Sequence, residues 1–93
     1  MKTIYTINST LVAIKENGEK RILDKHSQEF AYKARENASK ALERLKQVFI
    51  ADCGYEATTD ELLLIKRRSH EDTNLYELRY EIEEHYLSDY EKD

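Results

Sequence analysis

Proline is absent from this chain, glycine occurs only at Gly18 and Gly54, and cysteine only at Cys53. Long disordered segments are usually rich in proline and glycine, so their scarcity predicts order from near Met1 into the last ten residues. A phosphate-cradling loop is disfavoured, because such loops need several glycines close together. A single cysteine excludes an internal disulfide and gives no reason to expect an oxidising compartment. No apolar run approaches the ~20 residues of a membrane span, and the first residues lack an apolar signal-peptide segment. The expected setting is cytoplasmic, without a membrane partner. No repeat or linker divides the 93 residues, so residues 1–93 read as a single domain. Forty per cent apolar residues and two phenylalanines allow it only a modest core.

The net charge of −4 hides a division along the chain. Met1–Arg68 holds 13 Lys/Arg against 10 Asp/Glu, a net of +3, whereas Ser69–Asp93 holds 2 against 9, a net of −7. Such asymmetry points to an interaction surface more than to a fold.

The clearest local signal is VAIKENGEKRIL. Asn17-Gly18 suits a type I′ turn between two segments of β character, which would set Glu16 opposite Glu19, Ile14 opposite Arg21 and Val12 opposite Leu23. KTIYTIN alternates well enough for another strand, joined through Asn8-Ser9, so a three-stranded meander is expected first. A helix follows. Phe30, Ala34, Ala38, Ala41, Leu45 and Val48 form one apolar stripe, which Ala31, Leu42 and Phe49 widen. Asp24 or Ser27 supplies the N-terminal cap and Gly54 the αL stop, giving about 25 residues and roughly 38 Å of helix, whose ends overhang a narrow sheet.

In the last third, ELLLIKRR reads as a buried strand, although Thr58-x-x-Glu61 also resembles a helix-starting capping box. LYELRYEI alternates strictly, with Tyr76, Leu78, Tyr80 and Ile82 on one side and Glu77, Arg79, Glu81 and Glu83 on the other. Leu75, Leu78, Ile82 and Tyr86 also fit a helix, but the alternation favours a hairpin of Glu61–Arg68 against Leu75–Glu83. The expected fold is α+β: a small antiparallel sheet in βββ-α-ββ order packed against one long amphipathic helix.

Little in this sequence points to catalysis or cofactors. His26, His70 and His85 are scattered and Cys53 stands alone, so no metal site is expected. Cys53, beside Gly54 at a helix C-terminus, reads as a small buried residue, because the helix dipole there disfavours a thiolate. Ser69, His85 and Asp89 can be drawn as a triad on paper, but nothing around Ser69 resembles a nucleophile elbow. No catalytic residue or cofactor is therefore expected. Lys66-Arg67-Arg68, with Arg21 nearby across the sheet, is a small footprint for phosphates, and the adjacent −7 segment opposes direct nucleic-acid binding.

The remaining feature is the end, YEIEEHYLSDYEKD, with six carboxylates, one lysine and three tyrosines. Tyrosine gives rigid amphipathic contact area, and carboxylates along a strand speed encounter with a basic groove. Glu77, Tyr80, Glu81, Glu83, Glu84, Tyr86 and Asp89 are the expected partner contacts, although the alternation turns Tyr80 toward the core. Glu77, Glu81 and Glu83 lie about 6.8 to 14 Å apart along a strand, comparable to phosphate spacings in a nucleic acid.

In size, in the single helix on a small sheet and in the Glu/Tyr-rich stretch LYELRYEIEEHYLSDYE, the chain resembles the small acidic inhibitors that bacteriophages encode against host defences. Anti-CRISPR proteins and DNA mimics belong to that group. The resemblance implies a protein partner with a basic groove, such as a nucleic-acid-binding host complex, blocked by occupancy without chemistry. The net-basic first 68 residues depart from a fully acidic mimic, so one face alone would act. The alternative is a structural or regulatory homodimeric module that pairs a sheet edge or the helix stripe.

Overall fold

The computed structural model describes residues 2–28 and 30–87. Its strands are β1 (Lys2–Ile14), β2 (Lys20–Ser27), β3 (Glu56–Ala57), β4 (Leu63–Lys66) and β5 (Leu75–Leu87), with one helix, α1 (Arg35–Cys53), between β2 and β3. All pairings are antiparallel, in the spatial order β2-β1-β5-β4-β3. The fold is α+β, one helix on a five-stranded antiparallel sheet, as the alternation and the apolar stripe imply. The order along the chain is ββ-α-βββ, because the N-terminal segment is one strand where two were expected and a short strand follows the helix.

Asn8-Ser9 does not turn. β5 matches β1 residue for residue, from Lys2 opposite Leu87 to Ile14 opposite Leu75, and in that ladder Asn8 and Ser9 face Glu81 and Tyr80. A long partner strand satisfies the backbone groups that a turn would have taken out of the ladder. Two such strands, each 13 residues and roughly 43 Å long at the usual rise, make the molecule elongated. Its radius of gyration is 16.1 Å, against about 12 Å for a compact domain of this size.

The first hairpin also differs in detail. Gly18 has φ +87°, and among the described residues no non-glycine one, Asn17 included, has a positive φ, which excludes a type I′ turn at Asn17-Gly18. The Gly18 amide donates to the Lys15 carbonyl and the Lys15 amide to the Glu19 carbonyl, both at 2.9 Å, so the loop has three residues with Gly18 in the αL position. Pairing is therefore shifted by one residue, Ile14 with Lys20 and Val12 with Ile22. A bulge at Leu23 then shifts it back, so that Leu11 faces Asp24. The two shifts cancel, which keeps Asp24 and His26 on the helix side of the sheet.

The helix begins at Arg35, eight residues past the later of the two expected caps, because Asp24 and Ser27 belong to β2. The edge of β1 takes up the chain instead. Gln28 donates its amide to the Ile7 carbonyl, and Tyr5 and Tyr32 exchange two backbone hydrogen bonds of 2.8 Å. These bonds hold the segment before the helix extended. Phe30 is consequently outside the helix and exposed, and Val48 is exposed too. The buried helical residues are Ala38, Ala41, Leu42 and the aliphatic stem of Lys46, whose ammonium pairs with Glu43 at 3.1 Å. Burial ends at Ile50, and the last turn, with Cys53, is exposed past the sheet. Cys53 is thus not the buried residue expected. Gly54, at φ +77°, stops the helix as expected.

Residues 58–62 form a turn, not a capping box: Asp60 accepts the Leu62 amide on its side chain and the Leu63 amide on its carbonyl. β4 is shorter than the expected strand, while β5 continues to Leu87 and settles the strand-or-helix alternative in favour of the strand. The core lies between α1 and the central strands and consists of Ile7, Leu64, Leu78 and Tyr80 beneath Ala38, Ala41 and Leu42. The small alanines let the helix approach closely, and β2 is left uncovered and exposed along its whole length.

Candidate protein-binding face

Because Leu78 and Tyr80 point into the core and Ile82 packs against it, alternation sends Glu77, Arg79, Glu81, Glu83 and His85 to the opposite face of β5. β1 brings Thr6, Asn8 and Thr10 beside them, and β2 adds Lys25 and Ser27. Among the described residues no helix covers this face.

Its carboxylates are unequal. Glu77 has a side chain only 15% exposed and lies 3.5 Å from the Arg79 guanidinium, so its charge is largely compensated. Glu83 accepts a 3.1 Å hydrogen bond from Asn8 Nδ2 and lies 2.9 Å from His85 Nε2, which is also 3.0 Å from Thr6 Oγ1. A hydroxyl-activating triad needs the hydroxyl and the carboxylate on opposite ring nitrogens. Here both meet Nε2, so the imidazole cannot relay a proton between them. What the set does is fix the Glu83 carboxylate on the strand. Glu81 is exposed, flanked by two shallow concavities, one reaching Asp60, Leu62 and Arg79, the other Lys25 and Ser27. Among the described residues no ion pair engages Glu81.

The other expected contacts lie elsewhere. Tyr80 is 6% exposed beneath α1, so its ring is unavailable to a partner. Glu84 and Tyr86 project to the helix side near the end of β5, where the Glu84 carboxylate beside Tyr86 pushes its phenol pKa up. Asp89 lies outside the described residues, as does the order expected beyond Leu87. Ser69 sits in the β4–β5 connection, with its Oγ accepting the Asp72 amide. His85 is near the other end of β5, so the triad drawn on paper is spread over roughly 33 Å of strand.

The basic run is committed internally. Arg68 donates to the carbonyls of Ile14, Lys15 and Thr73 at 3.0 to 3.3 Å, fastening the end of β1 to the β4–β5 connection. Arg67 binds Glu56 at 2.8 Å. Arg21 is on the far edge, with β1 and β5 between it and Lys66, roughly 14 Å away by strand spacing. The three do not form one phosphate footprint with it.

Asn8, Thr6 and His85 were missed as members of the face. The signal was present in the alternation Thr6, Asn8, Thr10, but reading Asn8-Ser9 as a turn conceals it. Among the described residues no three His, Cys, Asp or Glu side chains group as a metal site, and no helix is long and apolar enough to cross a membrane. Both edges of the sheet are blunted against extension: β3 has two residues, and β2 carries Lys20, Arg21, Lys25 and the Leu23 bulge. Comparison of the chain with protein-family models, curated proteins and solved structures finds no match in any of the three.

Proposed function

We propose that the protein is a non-enzymatic protein-binding inhibitor that docks the bare face of its sheet, centred on Glu81 and Glu83, against the basic groove of a nucleic-acid-binding partner. The observation that carries this reading is the fixed carboxylate row on β5: Glu83 held by Asn8 and His85, next to the exposed Glu81. The two lie about 6.8 Å apart along a rigid strand. A preorganised row loses little entropy on binding, and uncompensated charge steers encounter with a basic surface. The likeness in character to phage-encoded anti-defence inhibitors, the anti-CRISPR type among them, suggests a host complex that handles nucleic acid as the partner class.

The test is capture of a partner from nuclease-treated bacterial lysate by the wild type and by Glu81→Lys/Glu83→Lys. The wild type should retain a basic protein that added duplex DNA displaces, and the variant should lose it while melting within a few degrees of the wild type. Retention by the variant, or indifference to DNA, would sink the proposal. A homodimer that packs the apolar side chains of Ile22 and Leu23, exposed at 57% and 47%, without extending the sheet at its blunted edge is the second reading. It calls for a dimer on size exclusion that persists in high salt.

A further inference from the structure

The outermost strands β2 and β3 are blunted, but a further edge lies inside the sheet. β1 pairs with β5 over all 13 residues, whereas β4 covers only residues 76–79 on the other side. Tyr80 donates its amide to the Leu62 carbonyl at 2.7 Å, and before Leu62 the chain turns back toward β3. Past Tyr80, residues 81–87 have no strand beside them on that side among the described residues. Successive residues of an antiparallel strand turn their backbone groups to alternate sides. Tyr80 faces β4, so Ile82, Glu84 and Tyr86 each present an amide and a carbonyl to the open side, while Glu81, Glu83 and His85 bond β1. Among the described residues no other hydrogen bond takes up the open groups. This edge is roughly 23 Å long, contains neither proline nor lysine, and keeps its register with β1 without a bulge.

We propose that this edge binds an extended basic peptide, which joins the sheet as a strand antiparallel to β5 and in line with β4. The open amides and carbonyls of Ile82, Glu84 and Tyr86 supply the backbone bonds of strand addition. The flanking side chains select the strand. Glu81 and Glu83 stand on the bare face and Glu84 on the helix side, so lysine or arginine directly opposite them forms favourable cross-strand pairs. Ile82, half-buried against the core among these carboxylates, favours an apolar residue opposite. An acidic strand would meet like charges. A second copy pairing edge to edge about a two-fold at the middle of the edge would set Glu84 against Glu84, so the charge pattern also opposes self-pairing. The assignment needs only the open backbone and its flanking charges, and it stands apart from the docking of the Glu81 face to a nucleic-acid-binding groove.

Hydrogen exchange followed by amide NMR on the full chain tests the proposal, with a blocked peptide in which lysine alternates with valine and threonine. At free peptide of about ten times its Kd, exchange should slow about tenfold at Ile82, Glu84 and Tyr86. Glu81, Glu83 and His85, whose amides β1 already holds, should change little. The same peptide N-methylated at its edge-facing amides keeps its charge and should have no effect, as should a peptide with glutamate in place of lysine. Glu81→Lys/Glu83→Lys should reverse the preference between the lysine and glutamate peptides. Four outcomes would overturn the assignment: slow exchange at Ile82, Glu84 and Tyr86 in the free chain, no change at millimolar lysine peptide, equal protection by the N-methylated peptide, or protection that grows with protein concentration alone. The last would make a second copy the occupant. If the double variant fails to fold, the N-methylated and acidic peptides still decide.

Discussion

Tyr80 carries a hydroxyl into a core that offers it no hydrogen-bond partner among the described residues. Its ring earns the position by area, because it is the one aromatic among the buried residues of a core otherwise made of Ile7, Leu42, Leu64, Leu78 and small alanines. The hydroxyl works against that gain, so Tyr80→Phe should keep the packing and raise stability by up to about 1 kcal/mol near neutral pH. The alkaline limb provides an independent check. The phenol is raised from 10.0 to about 12 in the folded chain, chiefly by desolvation. Below pH 10 both states hold the proton and nothing is lost; from pH 10 to 12 the unfolded chain releases it while the folded chain retains it, so stability falls across that window. Urea unfolding over this range should show a steeper decline for wild type than for Tyr80→Phe. Parallel declines would mean that the phenol is not shielded. Asp72 presents the opposite sign at the surface, its carboxyl held below the usual range first by the Tyr76 hydroxyl and then by the Asn74 amide. Its contribution to the β4–β5 connection is present above the ordinary carboxylate pKa and is lost as the pH falls.

The helix starts without a side-chain cap, since Ala34 occupies the N-cap with φ −129° and ψ 138°. That backbone already suits a capping residue, so Ala34→Asp should stabilise by about 1 kcal/mol, and the melting temperature should rise by about 4–8 °C. No rise on calorimetry would show that neighbouring groups already satisfy the first-turn amides. The uncapped start also explains which features the sequence revealed. Gly54 was legible because αL geometry restricts residue choice at that one position. The alternation of Tyr76, Leu78, Tyr80 and Ile82 was legible because β5 has one dry face and one wet one. The true helix start was not, because a backbone ladder decides it: Tyr32 pairs with Tyr5, and such bonds leave no mark on side-chain periodicity. The hairpin register was hidden for a related reason. Asn-Gly fits both a two-residue and a three-residue loop, and the compensating bulge at Leu23 keeps the same residues facing the helix in either case. Of the candidate face, Glu77, Glu81 and Glu83 were read from β5 alone, whereas Asn8 and Thr6 required knowing that β1 lies beside it.

At the scale of the molecule, the decisive contact is the β1–β5 ladder, which joins Lys2 to Leu87 and Ile14 to Leu75. β1–β2 and β4–β5 are local hairpins and can close within microseconds, but joining them requires closing the loop of about 35 residues between Ser27 and Leu63, which includes the helix. That entropy is lost before most of the core forms, so the folding barrier should contain enough β1–β5 contact to offset it. Ile7, buried on β1 opposite Ile82, lies in this ladder, while Gly54 acts only on the end of the helix. Ile7→Val, with an expected loss of about 0.5–1.5 kcal/mol, should slow folding by more than it speeds unfolding. Gly54→Ala meets no steric obstacle, since the nearest atom to its new Cβ is Lys66 Cε at 3.7 Å, but it must adopt a positive φ. Its destabilisation, about 1 kcal/mol, should appear mainly as faster unfolding. Chevron plots of the two variants separate these effects. An Ile7→Val change confined to the unfolding limb would mean that the ladder closes after the barrier, with the helix and its local hairpin forming the nucleus instead.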